Sequence, residues 1–224
     1  MAYPSSPWTL QGYALQTLQL IDVEQVRPFI APELDIVSVL PGKTLGGVYL
    51  SCYGSGSVLE YSELIVAAGI VRYSGKIGGW ISHIYVDNPD SVAGGRNIWG
   101  LPKELAEFTW EKGSRTASGY ENCVTVRQGE QTLCQLSYNQ QTLGLPLPFS
   151  GNVFSTHSES ILLFNGKFEG SVGTVGSKLQ VPVESPFASL GLDRPWLTFY
   201  GEKLRMVIGT PEVVGRTEAA FSYR

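Results

Sequence analysis

The chain has 224 residues, 43% of them hydrophobic and 16% charged, with a formal net charge of −4. This composition lies far from the signature of disorder and suffices for a sizeable core, and lysine and arginine form no basic run, so nucleic acid is not an expected partner. No stretch approaches the roughly eighteen apolar residues of a membrane span, and the start MAYPSSPWTL lacks the basic and apolar regions of a secretory signal, so a cytoplasmic protein without a membrane span is expected.

In chain order, Asp22 is placed to cap a short helical turn through Val23, Val26 and Phe29, weakened by Pro28 and stopped by Pro32. Aromatic and β-branched residues predict strands over 46–53, 61–73 and 80–86. A second short helix is expected after Asn88-Pro89, with Asn88 as cap and proline in the first turn, ending near Gly94-Gly95. Strands are then expected over 108–110, 123–127 and 132–138, the last two joined by a hairpin at Gly129, followed by 172–183 and 196–208. No linker or repeat divides the chain, so one domain over residues 1–224 is expected. The pattern is mainly β (α+β), with antiparallel strands and a few short helices rather than alternating βαβ units.

Motifs for nucleotides and metals are weak. Gly42-Lys43-Thr44 lacks the upstream glycine of a phosphate loop, with Val37 in its place, and Gly54-Ser55-Gly56 lacks the third glycine of a dinucleotide loop. His83 and His157 lie far apart, and His83 reads as a hydrogen-bonded strand residue. Cys52, Cys123 and Cys134 form neither an even set nor a CxxC pair and read as buried structural thiols. No cofactor and no metal is expected, which leaves lysine, glutamate and arginine as working groups.

The segment from Tyr85 to Pro89 and then Gly95-Arg96-Asn97-Ile98-Trp99-Gly100-Leu101-Pro102-Lys103-Glu104-Leu105-Ala106 is unlike a generic loop. It joins a strand end, a short helix and a glycine-aromatic-proline turn that delivers Lys103 among Trp99, Leu101, Leu105 and Phe108. An ordinary lysine is almost wholly protonated at neutral pH, whereas only the neutral amine attacks carbonyls, so desolvation by apolar neighbours would favour such chemistry. The plain alternative is a surface lysine paired with Glu104 or Glu107. Glu60 and Glu63 are three apart in a predicted strand and face opposite sides, with Glu63 inward.

The same segment resembles the acetoacetate decarboxylase family, whose Tyr-x-Asp…Gly-Arg-Glu…Pro-Lys signature carries a Schiff-base lysine at the position of Lys103. Activation of such a lysine by its surroundings is a known feature of that enzyme. Tyr61-Ser62-Glu63 resembles the family's Tyr-Thr-Glu, which makes Glu63 the active-site acid and Tyr61 its neighbour, and the run from Asp22 to Leu34 resembles a short family helix. The resemblance implies a closed antiparallel β-cone or barrel with the lysine inside, a small-molecule carbonyl substrate contacted by Tyr61, Trp99 and Leu101, and a homo-oligomer.

The sequence departs from that pattern at several positions. Leu20 stands where a carboxylate-binding arginine is expected, Asn97 replaces the glutamate after Gly-Arg, Glu104 replaces a second lysine, and Val48 or Tyr49 replaces an acid. These changes point to a substrate bulkier and less anionic than acetoacetate. Arg96 either enters the cavity to bind substrate, or anchors backbone carbonyls or pairs with Asp87. The expected activity is a cofactor-free, decarboxylase-like carbon–carbon lyase. Its alternatives are an imine-dependent aldolase-dehydratase or isomerase, or a non-catalytic barrel for an apolar ligand. Lys103→Met is expected to fold with unchanged or slightly raised stability.

Overall fold

A computed structural model describes residues 3–113, 120–139, 143–218 and 221. Its strands are β1 (Trp8–Asp22), β2 (Asp35–Ile36), β3 (Lys43–Tyr53), β4 (Tyr61–Tyr73), β5 (Lys76–Val86), β6 (Lys103–Leu105), β7 (Glu107–Glu111) and β8 (Asn122–Gln128). They continue as β9 (Gln131–Tyr138), β10 (Leu145–Pro146), β11 (Phe149–His157), β12 (Ser160–Thr174), β13 (Ser177–Gln180), β14 (Leu197–Ile208) and β15 (Glu212–Arg216). The α-helices are α1 (Val23–Val26) and α2 (Pro89–Trp99).

Seven strands close a barrel in the order β1, β3, β4, β5, β11, β12, β14 and back to β1. Neighbouring strands are antiparallel except β5 and β11, which pair in parallel at Val153↔Gly79 and Phe154↔Trp80. A ring in which every neighbour alternates direction needs an even number of strands, so seven leave one parallel junction. The closed, mainly antiparallel barrel expected from the sequence is present. A second sheet, in the order β13, β9, β8, β7, covers its outer face.

Strand alternation sorts the buried residues into two layers. On β4, Tyr61 and Ile65 join a cluster that draws residues from all seven barrel strands and from α2, and this is the barrel interior. Leu64, Val66 and Ala68 face the other way, packing with Val124, Leu133 and Leu136 of the second sheet. Among the described residues no helix is long and apolar enough to cross a membrane.

Several elements depart from expectation. β1 and β11 were not foreseen, and the 172–183 segment divides into the end of β12, a turn, β13 and a loop. β1 reads WTLQGYALQTLQLID, richer in Leu and Gln than in β-branched residues, and it is a strand because β3 and β14 flank it on both edges. Asp22 makes no capping hydrogen bond, and its carboxylate instead pairs at 2.8 Å with Lys43, its cross-strand partner. Cys123 and Cys134 are buried, whereas Cys52 is only half-buried.

Candidate active site

Lys103 is positioned by α2 and the turn that follows it. The Asn88 side chain accepts hydrogen bonds from the backbone N–H groups of Asp90 and Ser91 at 2.9 and 3.2 Å, as an N-cap does. The helix runs through Gly94-Gly95 to Trp99 instead of stopping there. Both glycines are packing positions: a Cβ on Gly94 would lie 2.5 Å from the Trp8 ring, and one on Gly95 would lie 2.4 Å from Cδ of Lys103. Gly100 ends the helix at φ +62°, a left-handed conformation that suits glycine.

Beyond the helix the Lys103 backbone is held at both ends. Its N–H donates to Leu101 O at 2.8 Å, closing a tight turn over Pro102. Its carbonyl accepts from Nε of Arg96 at 2.7 Å. Arg96 is exposed, so its guanidinium anchors a backbone carbonyl, while Asp87 accepts from the Ser62 N–H at 2.7 Å. β6 then adds to β5 in parallel, with Lys103 beside Ile84.

The lysine side chain enters the barrel interior. It is 3% exposed, and Nζ donates to Oε1 of Glu63 at 2.7 Å and to Oγ of Ser91 at 3.0 Å. The ammonium lies 4.9 Å from the Tyr61 ring centroid and 5.9 Å from that of Trp8. Desolvation thus comes from Tyr61 and Trp8, while Leu105 is exposed and Phe108 packs in the outer layer. Glu63 and Lys103 are the only buried Asp, Glu, Lys or Arg side chains among the described residues. Glu60 and Glu104 are exposed.

Hydroxyl groups surround the carboxylate. Tyr53 donates to Oε2 of Glu63 at 3.3 Å, and its hydroxyl also meets that of Tyr49 at 3.0 Å. Ser51 lies directly across from Glu63 in register. Ser51 Oγ and Tyr61 Oη are buried and make no well-formed hydrogen bond, although Tyr53 and Ser91 lie close to them, positions from which a hydroxyl can turn to a ligand's oxygen. Burial pushes the phenols of Tyr49, Tyr53 and Tyr61 above the ordinary tyrosine value. Repulsion from the Glu63 carboxylate adds to the shift, so all three stay protonated as donors.

The remaining sequence candidates fall at different distances. Trp99 packs edge-on to Trp8 at 4.9 Å and donates from Nε1 to Gly209 O, so it is a wall of the interior. Leu101 belongs to the same layer and also borders an outer depression of about 340 Å³ that includes Arg96, Pro102 and His157. Leu20 is not brought to the site. The β1 residue level with Ser51 and Glu63 is Ala14, and Leu20 lies six residues further along, roughly 20 Å at strand rise. Sequence reasoning missed Ser91, Trp8, Tyr53 and Ser51 and found Tyr49 only as a replaced acid. The Tyr49-x-Ser51-x-Tyr53 alternation, which puts three hydroxyls on one strand face, was the available signal. Among the described residues no grouping of three His, Cys, Asp or Glu side chains is arranged to hold a metal.

A model of the acetoacetate decarboxylase family matches residues 2–150. The chain belongs to the acetoacetate decarboxylase family. Protein NEOXANTHIN-DEFICIENT 1 of Solanum lycopersicum is 28% identical over 163 residues, covering 62% of this chain and 55% of that protein. The chain thus spans about half the length of that relative. Acetoacetate decarboxylase of Burkholderia mallei is 33% identical over 92 residues, 41% of this chain and 35% of that one. Among solved structures, acetoacetate decarboxylase of Legionella pneumophila superposes with a TM-score of 0.75 at 15% identity, covering 96% of this chain and 90% of that one. The enduracididine biosynthesis enzyme MppR superposes at 0.69 with 12% identity, covering 96% and 91%. At such identities the structural likeness establishes a shared fold.

Proposed function

We propose that the protein is a cofactor-free carbon–carbon lyase that forms an imine between Lys103 and a small carbonyl compound. The observation that carries this reading is the buried contact of Lys103 Nζ with Glu63 Oε1 at 2.7 Å inside the barrel. Transfer of one proton along that hydrogen bond frees the amine to attack the carbonyl carbon, and water leaves as the iminium forms. The iminium accepts the electron pair of the breaking carbon–carbon bond. Glu63 gives that proton to the departing oxygen and takes another from solvent; for a keto acid, carbon dioxide departs, the enamine takes this second proton from Glu63 at carbon, and hydrolysis returns the ketone and the Lys103 ammonium.

Substrate class follows from the lining. With Lys103 committed to the imine, no second buried lysine or arginine remains among the described residues to hold a carboxylate, and the walls offer aromatic faces and neutral hydroxyls. The favoured substrate is bulkier and less anionic than acetoacetate. The same absence favours a second reading, in which the imine serves aldol addition and dehydration or isomerisation of an unsaturated ketone. MppR, of the same fold, has been solved with a condensation product of pyruvate and imidazole 4-carboxaldehyde. In keeping with the family resemblance, the reading includes a cytoplasmic homo-oligomer, for which exposed Leu145, Leu147 and Phe149 supply an apolar surface.

The test is borohydride reduction in the presence of β-keto acids, neutral ketones and enals, read by peptide mass. An adduct on Lys103 is expected. Carbon dioxide release, measured against enal or enone turnover, separates the two enzymatic readings. Failure of every compound to label Lys103 would sink both and leave a barrel that binds an apolar ligand without turnover.

A further inference from the structure

A buried acid that has given its proton to the departing water must be recharged before it can protonate carbon. Decarboxylation of a keto acid consumes one proton: R–CO–CH2–COO⁻ and H⁺ give R–CO–CH3 and CO2. Glu63 is 2% exposed, and its Oε1 is held by Lys103. The lysine's other partner, Ser91, is fully buried and offers no way out. Oε2 has a different neighbour, Tyr53, whose hydroxyl meets that of Tyr49. Of the residues Lys103, Glu63, Tyr53 and Tyr49, only Tyr49 is partly exposed.

We propose that Tyr49 and Tyr53 form a proton relay that recharges Glu63 from solvent while the barrel stays closed. The inference rests on the imine reading of Lys103. In one cycle water gives a proton to the Tyr49 oxygen as Tyr49 passes its own to Tyr53 and Tyr53 passes its own to Oε2 of Glu63. Each hydroxyl gains one proton and loses one, and the net change is a protonated carboxyl group and one hydroxide left in the bulk solvent. The hydroxyl of Tyr53 already donates to the carboxylate, which is the orientation that inward delivery requires.

Strand geometry explains why tyrosine is needed at both positions. Residues 49 and 53 lie on one face of β3, about 13 Å apart along the strand, a gap that only long side chains leaning toward each other bridge. Ser51, between them on that face, is small enough to leave the space open. Burial keeps both phenols protonated, so the relay works by concerted handover and needs no standing tyrosinate.

The relay is tested with full-length Tyr53→Phe and Tyr49→Phe proteins in D2O, using 4-phenylbutan-2-one as probe. Two quantities are read: the borohydride-trapped adduct on Lys103, and deuterium entering the α-positions of the ketone by NMR. Without the relay Glu63 returns the same hydron to the same carbon, so adduct yield should stay within about twofold of wild type while exchange falls about tenfold or more. A merely structural role would lower both together. An unchanged ratio of exchange to adduct in both variants overturns the relay and leaves the imine standing. A wild-type protein that gives no Lys103 adduct with this ketone or with the wider carbonyl panel overturns the imine reading, and the relay with it.

Discussion

Glu63 and Leu64 are neighbours on β4, both almost wholly buried, and they point in opposite directions. Leu64 enters the outer layer, where barrel and second sheet share a cluster of apolar and aromatic side chains. Glu63 enters an interior that holds a lysine, a serine and phenols at hydrogen-bonding distance. Removing polar groups from water costs free energy that hydrocarbon burial does not, and a paired ion returns it only while both partners remain. The outer layer therefore stabilises the fold, whereas the interior spends stability on chemical groups held ready.

The largest effect should come from breaking the buried pair. Lys103→Met should abolish borohydride labelling and turnover, and it should cost about 3–5 kcal/mol in urea unfolding, because it strands the Glu63 carboxylate. Adding Glu63→Gln to that variant should recover most of the loss but no activity. Glu63→Gln alone should still be trapped as an imine while turnover slows by about 10²- to 10⁴-fold. Substantial turnover by Lys103→Met, on whatever substrate the wild type accepts, would remove the mechanism.

On the opposite face of the same strand, Leu64→Ala should cost about 2–5 kcal/mol by opening a cavity, with Lys103 labelling intact at temperatures where the protein stays folded. Loss of labelling at full foldedness would show that the two layers are not independent. Gly95→Ala should do the reverse at a smaller scale. Its Cβ would meet Cδ of Lys103 at 2.4 Å, and overpacking of about 1–3 kcal/mol outweighs the roughly 1 kcal/mol that alanine gains in a helix. The displaced lysine should label markedly more slowly while stability falls by no more than about 2 kcal/mol.

Legibility from sequence followed the same division. β4 reads directly, since 61–73 is an unbroken run of aromatic, aliphatic and small residues, and Lys103 and Glu63 stand out through their motif. β1 does not, because only its neighbours on both edges make a strand of a Gln- and Leu-rich segment. The site's hydroxyls were hidden for a related reason: Ser91 and Tyr53 reach Lys103 and Glu63 only once α2 and β3 are docked. That hidden pairing also reverses the expected stability of Lys103→Met, which assumed a lysine buried alone. Leu20 was misjudged because matching positions in sequence says nothing about how far along a strand they fall from the site.

The smallest effect lies on the pH axis and compares the phenols of the two layers. Tyr53 and Tyr61 inside, and Tyr138 and Tyr200 outside, are all raised above the ordinary tyrosine value, chiefly by burial. A group whose folded value is raised stabilises the fold fully at pH below its unfolded value, and that contribution is lost as pH climbs toward the folded one. The unfolded chain ionises its tyrosines near pH 10, so stability should be flat through neutral pH and begin to fall above about 10. Each phenol still protonated in the fold then adds roughly 1.4 kcal/mol of loss per pH unit. The interior pair, fully enclosed and next to Glu63, should be the last to ionise. Absorbance titration of the phenolate band, run beside urea unfolding from pH 8 to about 11, checks this. Tyr53→Phe should remove one late-ionising phenol and make the alkaline decline shallower. If Tyr53 instead titrates reversibly near pH 10 in folded protein, the interior is wet, and the closed barrel that sets it apart from the outer layer does not hold.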